Sequence, residues 1–315
     1  MAAAVVTPML QAVAYAADMP IKAAPPPPPV VLDIHGGADV TIANTRVTGG
    51  GLYLYSRGYI TQPSINLSLD LYKNKMGFIN KVTVFGGVWN EYWSSPPVGG
   101  RVWQEMDWWV GMSVGFANYW TFSAQALTFQ FPGGATDRNW VFGLALDDGP
   151  FTPLPFALNP YVNLFYNASG PSTVVFGKNG GTYRFDVGIA PAFNLYKSTG
   201  LPLTVSIPTW VTLGPSSYWN RADGTTNFCG PLTAAPCSSG NMGYFTTGLQ
   251  FKYLLTALIP PRLGTWYIKA GIQYVHLVND TLLAAQTPAG VGSEPNFPSA
   301  KRDIGVANVG VGFTF

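Results

Sequence analysis

The residues able to do chemistry are few. The 315-residue chain carries two histidines, His35 and His276, and two cysteines, Cys229 and Cys237. A hydrolase of the serine type needs a histidine beside its nucleophile. His35 lies among glycines. His276 ends an alternating stretch, two residues beyond Tyr274 on the same apolar face, where an interface role fits better than that of a base. No Gly-x-Ser-x-Gly elbow, His-Glu-x-x-His pair or phosphate loop occurs. Gly49-Gly50-Gly51 is a turn or bulge signal. Glu105 and Asp107 share one strand face, but paired carboxylates in a polar interior are weak ground for glycosidase chemistry. Two cysteines without matching histidines make no convincing zinc site. Their seven-residue separation is wider than a redox Cys-x-x-Cys. In an exported chain the natural expectation is a Cys229–Cys237 disulfide, closing a short loop at a gain of about 2.5 kcal/mol. No enzyme, cofactor or bound metal is expected.

What remains is charge, placed every second residue in stretches that otherwise alternate. Arg57, Asp70, Glu105, Asp107, Arg184, Asp186, Lys252 and Lys269 fall on the polar faces. Both signs are present. Such groups can pair with one another when partly desolvated. They can also stay free and set the selectivity of a water-filled path, as rings of charged side chains do in channels.

Strands must position these faces. In Ser64 to Tyr72, Ile65, Leu67, Leu69 and Leu71 point one way and Asn66, Ser68 and Asp70 the other. Thr182 to Pro191, Phe245 to Tyr253 and Trp266 to Tyr274 repeat that period of two. Further strands are expected over Gly51 to Tyr59, Phe78 to Tyr92, Val102 to Phe116, Trp120 to Phe131, Trp140 to Asp147, Leu158 to Asn167, Leu203 to Leu213 and Asp303 to Phe315. The total is about twelve, within a range of ten to fourteen, and an extra strand near Ala38 to Ala43 would disturb the count. Many segments approach the ~9–11 residues a tilted strand needs to cross hydrocarbon.

A soluble sandwich also alternates. Here, however, only 10% of residues are charged, against roughly 25% in soluble domains. Aromatics cluster at expected strand ends, at Trp89, Tyr92 and Trp93, at Trp103, Trp108 and Trp109, and at Tyr119 and Trp120, as interfacial girdles require. The chain ends on a strand with Val309, Val311, Phe313 and Phe315 alternating, which suits closure without an edge. No apolar run approaches the ~20 residues of a spanning helix beyond the N-terminus. The fold class expected is therefore all-β, a single closed antiparallel transmembrane β-barrel, because only helices and closed barrels satisfy every backbone group in lipid.

Residues 1–17 read as a signal peptide, with Ala14-Tyr15-Ala16 as the small-x-small site, although no Lys or Arg precedes the apolar stretch. Residues 18–36 form a leader containing the five prolines Pro25 to Pro29, a stiff polyproline spacer. The barrel is expected over residues 37–315. The longest loop lies between Gly214 and Gly240 and carries both cysteines; barrels place long loops outside the cell. The net charge of +2 comes with no basic run, which argues against nucleic acid as a partner.

Tyr53-Leu54-Tyr55-Ser56-Arg57-Gly58-Tyr59, the Leu-rich strand after it, Glu105 and Asp107 ahead of Gly111, and Phe129-Gln130-Phe131-Pro132-Gly133 together resemble the TorF-like family of outer-membrane porins. The resemblance covers about residues 47–134. It implies a bacterial outer-membrane barrel whose partners are outer-membrane lipids and small hydrophilic solutes. Twelve strands ~4.8 Å apart and tilted ~40° give a backbone diameter of roughly 24 Å, leaving on the order of 10 Å between side chains. The function expected is passive diffusion. The alternative is a non-conducting barrel with a structural or surface-interaction role, its lumen filled by a loop or by the N-terminal segment.

Overall fold

The computed structural model describes residues 33–49, 51, 53–55, 58–74, 76–96, 101–132, 136–152, 156–170, 180–219, 240–285 and 301–315. Twelve antiparallel strands form its wall: β1 (Asp33–Ala43), β2 (Ile60–Lys73), β3 (Ile79–Trp93), β4 (Trp103–Phe116), β5 (Trp120–Gln130), β6 (Thr136–Leu146), β7 (Tyr161–Ser169), β8 (Thr182–Ile189, resumed as Ala192–Asn194), β9 (Leu203–Ser206, resumed as Thr209–Leu213), β10 (Met242–Leu254), β11 (Thr265–Leu277) and β12 (Asp303–Thr314). Each pairs with its sequence neighbours, and β1 closes on β12 from Gly37↔Thr314 to Ala43↔Asn308. The barrel thus has no open edge. No helix among the described residues is long and apolar enough to cross a membrane.

The interruptions in β8 and β9 have a common cause. Pro191 and Pro208 have no N–H to donate and break the ladder at neighbouring points. The carbonyls of both prolines still accept, from Ile207 N–H and Gly248 N–H.

Alternation sets the two faces. In β6, Asp137, Asn139, Val141 and Gly143 are buried while Trp140, Phe142 and Leu144 are exposed. The outward residues are in register from strand to strand: Val88 faces Trp108, Val110 faces Ala126, and Ala126 faces Trp140. Ile65, Leu67, Val110 and Trp140 are each about half exposed or more, at 60%, 53%, 52% and 49%. Apolar surface of this extent around a closed wall is what a lipid environment covers.

Three expectations need correcting. The stretch Gly51 to Tyr59 is not a wall strand; Tyr53–Tyr55 pairs instead with Arg46–Val47 in a small separate hairpin. The wall strand is Asp33–Ala43, which begins before residue 37. The aromatics also divide: Tyr92, Trp103, Trp108, Tyr119 and Trp120 are exposed. Trp93 is buried against Ile60, and Trp89 and Trp109 lie on the inward face with Glu91 and Asp107. Gly87 makes room for the Trp109 ring: a Cβ there would collide with it and would meet the Ile65 carbonyl oxygen at 2.6 Å.

The connections differ at the two ends. One end holds both ends of the wall, Asp33 and Thr314, and the shorter links, among them Ala117 to Tyr119 with Ala117 and Asn118 at φ 46° and 67°. At the other end lie the described residues 44–49, 214–219, 240–241, 278–285 and 301–302.

Candidate functional site

The inward faces enclose a polar cavity of about 540 Å³, lined from β1, β2, β9, β10, β11 and β12 by residues that include Thr41, Gln62, Thr204, Ser206, Gln250 and Lys252. Lys252 and Lys269 are direct register partners on β10 and β11. Like charges placed opposite each other destabilise a sheet unless neutralised. Lys269 is neutralised: its Nζ lies 2.8 Å from Asp39 Oδ1 across the β12 strand. Lys252 has no carboxylate partner among the described residues, and its Nζ lies 4.1 Å from the Tyr267 ring centre.

Toward the end with the longer connections, the cavity is narrowed by the chain itself. After Ala43 the backbone turns inward. Arg46 ion-pairs with Glu91 of β3 at 3.0 Å and with Glu105 of β4, and its guanidinium lies 4.8 Å from the Trp89 ring centre. Burial works against the Arg46 charge, but the Glu105 and Glu91 carboxylates outweigh it and hold its pKa above the ordinary arginine value. The same segment reaches the far wall. Tyr244 of β10 donates its hydroxyl to Gly49 O at 2.8 Å. A side chain on Gly49 would meet the Arg184 guanidinium at 2.9 Å, and one on Gly51, which has φ +88°, would meet Leu282 at 2.8 Å. Gly51 therefore needs glycine, whereas at Gly49 it is the tip of the Arg184 side chain that would have to shift. Residues 44–49 thus span from the β3–β4 wall to the β8–β10 wall.

An apolar cluster completes that end. Trp219 of the short helix Ser216–Trp219 and Leu282 of the helix Asp280–Ala285 are fully buried with Tyr218, Tyr244, Val275, Leu277, Ile304 and Val306. The inward face of β10–β12 changes from Lys and Gln to Tyr, Val, Leu and Ile where these helices enter. Beside them, Arg184 donates to both Asp186 oxygens at 2.6 and 2.7 Å and stacks 3.6 Å from the Phe165 ring centre; Thr212 also donates to Asp186.

At the opposite end, Asp33, His35 and Asp70 bring three potential ligand atoms within 4.8 Å of one another. Lys73 pairs with both carboxylates, at 2.8 Å to Asp70, and Lys81 reaches Asp70 at 3.2 Å. Two ammonium groups in the set oppose a divalent cation, so the cluster reads as an ion-pair network.

Asp70, Glu105, Asp107, Arg184, Asp186, Lys252 and Lys269 all sit on inward-facing register positions, and five of them are paired with named partners: Asp70, Glu105, Arg184, Asp186 and Lys269. They are not one ring but three groups at different heights. Arg57, Cys229 and Cys237 lie outside the described residues. Sequence reasoning missed Arg46, Asp39 and Glu91. Glu91 follows the odd-numbered inward face of β3, so period-two reading could have found it; Arg46 carries no local signal.

The chain is similar to several solved barrels. The NanC porin matches at 11% identity and a TM-score of 0.42, over 88% of this chain and 98% of that one. The transport unit of the autotransporter AIDA-I from Escherichia coli matches at 10% and 0.40, over 90% and 89%. OprB of Pseudomonas putida matches at 8% and 0.38, over 90% and 94%. The barrel stands on its own strand pairing, to which likenesses this distant add nothing. No family model and no curated protein matches the chain, so the TorF-like resemblance stays a resemblance.

Proposed function

We propose that this protein is a porin-like channel of the bacterial outer membrane, passing small hydrophilic solutes through a lumen narrowed by residues 44–49. The observation that carries the reading is the polar cavity inside a wall whose outer face is apolar. An interior built for rigidity alone would be filled with side chains. The pore-lining role extends to Asp70, Glu105, Asp107, Arg184, Asp186, Lys252 and Lys269, and Arg57 is proposed with them. Export by residues 1–17, a periplasmic leader and a Cys229–Cys237 bridge in the outer loop belong to the same proposal. The longer connections then face outward.

The expected tube with ~10 Å of free width is crossed by the segment that turns inward after Ala43. In this reading the segment crossing the lumen narrows the channel, and the Trp219–Leu282 cluster bounds it on one side. That cluster favours a second reading, a barrel closed at its outer end. Purified protein in a planar bilayer separates the two. Discrete conductance steps are expected, and a silent bilayer at high protein load establishes the closed barrel.

A further inference from the structure

Lys252 is the one lumen-facing cation of the cavity that no described carboxylate neutralises. Asp39 of strand β1 is engaged elsewhere. Asp39 Oδ1 accepts from Lys269 at 2.8 Å and from Thr41 at 3.1 Å, and Asp39 Oδ2 accepts from Ser64 at 3.2 Å. Arg46, at the other boundary of the cavity, is committed to Glu91 and Glu105. Of the three cations that line the cavity, Lys252 is the one with no carboxylate at ion-pair distance among the described residues.

Around it lie groups with hydrogen-bonding capacity to spare. Thr204 and Ser206 of β9, Gln250 of β10, Gln273 of β11 and Asn308 of β12 line the same space. Thr204 is the register partner of Lys252, and Ser206 that of Gln250. No side-chain hydrogen bond joins any of the five to another described residue. An ammonium without a counter-ion, two hydroxyls and three carboxamides in a cavity of about 540 Å³ match the size range of small-molecule sites.

We propose that the cavity around Lys252 is a binding site for a small polyhydroxylated monocarboxylate, whose carboxylate meets Lys252 and whose hydroxyls meet Thr204, Ser206, Gln250, Gln273 and Asn308. The single unpaired ammonium selects a ligand with one carboxylate, and the spread of uncharged groups across four strands selects one with several hydroxyls. The site deepens the channel reading by naming the solute class, but its binding can be measured without conduction.

The test is calorimetric titration of the full chain, folded in detergent at low ionic strength, with gluconate, with uncharged sorbitol of the same carbon length and with cationic glucosamine. Gluconate is expected to bind at least about tenfold more tightly than sorbitol, a charged hydrogen bond being the difference. Lys252→Gln should remove that advantage, Lys252→Arg should keep it, and Lys252→Glu should transfer it to glucosamine. Equal affinity for gluconate and sorbitol overturns the proposal, as does a Lys252→Gln variant that binds gluconate as the parent does. Gluconate binding with a silent bilayer overturns the channel and leaves the site. Conductance without gluconate preference does the reverse.

Discussion

Replacing Arg46 with alanine tests whether residues 44–49 are latched inside the barrel. The side chains at the latch are Arg46 at 13% exposure, Glu91 at 1% and Glu105 at 5%. By contrast, Lys73 and Asp33 at the opposite mouth are 50% and 43% exposed. An exposed pair contributes about 0–1 kcal/mol. Removing one member of a buried pair costs about 3–5 kcal/mol, because the other charge is left desolvated. Arg46→Ala strands two carboxylates, yet the segment carrying it is not part of the wall and can withdraw, letting water reach them. The lower end, about 3 kcal/mol, is therefore expected. Urea unfolding in lipid vesicles, followed by tryptophan fluorescence, measures it. Adding Glu91→Gln and Glu105→Gln should recover most of the loss, since neutral amides tolerate burial better than unpaired carboxylates. Single-channel conductance of Arg46→Ala should rise as the segment leaves the lumen. A loss below about 1 kcal/mol together with unchanged conductance would refute the latch.

Two further outcomes follow from the packing. Trp219 is fully buried, its Nε1 donates to Gly214 O at 3.1 Å, and its ring fills the space over Gly243. Trp219→Ala should cost about 3–5 kcal/mol in the same unfolding assay. Leu67→Arg should cost about 2–4 kcal/mol or block insertion into vesicles, while Ser68→Arg on the next residue should insert normally; vesicle-protected protein after protease treatment reports both.

Much of the wall was legible because period two survives in single strands. The expectation of twelve strands matches the structure because two differences cancel: Gly51 to Tyr59 alternates but is not in the wall, and Asp33–Ala43 is in the wall without a full alternating signal. The second difference has a packing cause. β1 carries Gly36 on its outer face, where a Cβ would meet the Phe315 ring at 2.6 Å and Leu67 at 2.8 Å. The terminal aromatic thus replaces the side chain that would have marked the strand. The tyrosines of 53–55 alternate as convincingly as any wall strand, and only the inward turn at residue 44 takes them out of it. The latch was illegible for a different reason: Arg46 meets Glu91 and Glu105 at sequence separations of 45 and 59, where no local pattern reaches. Trp89 and Trp93 lie near a strand end, where a girdle is expected, yet they share the inward parity of Glu91, and facing outweighs composition there.

The most direct measurement places nitroxide labels one at a time at residues 64 to 69, in a chain with Cys229 and Cys237 replaced by serine and inserted in lipid vesicles. Collision with oxygen, which concentrates in acyl chains, should peak at Ile65, Leu67 and Leu69, and collision with a water-soluble nickel chelate at Ser64, Asn66 and Ser68. A uniform profile, or one with oxygen contact at the even positions, would contradict the barrel facing on which the lumen and its site depend.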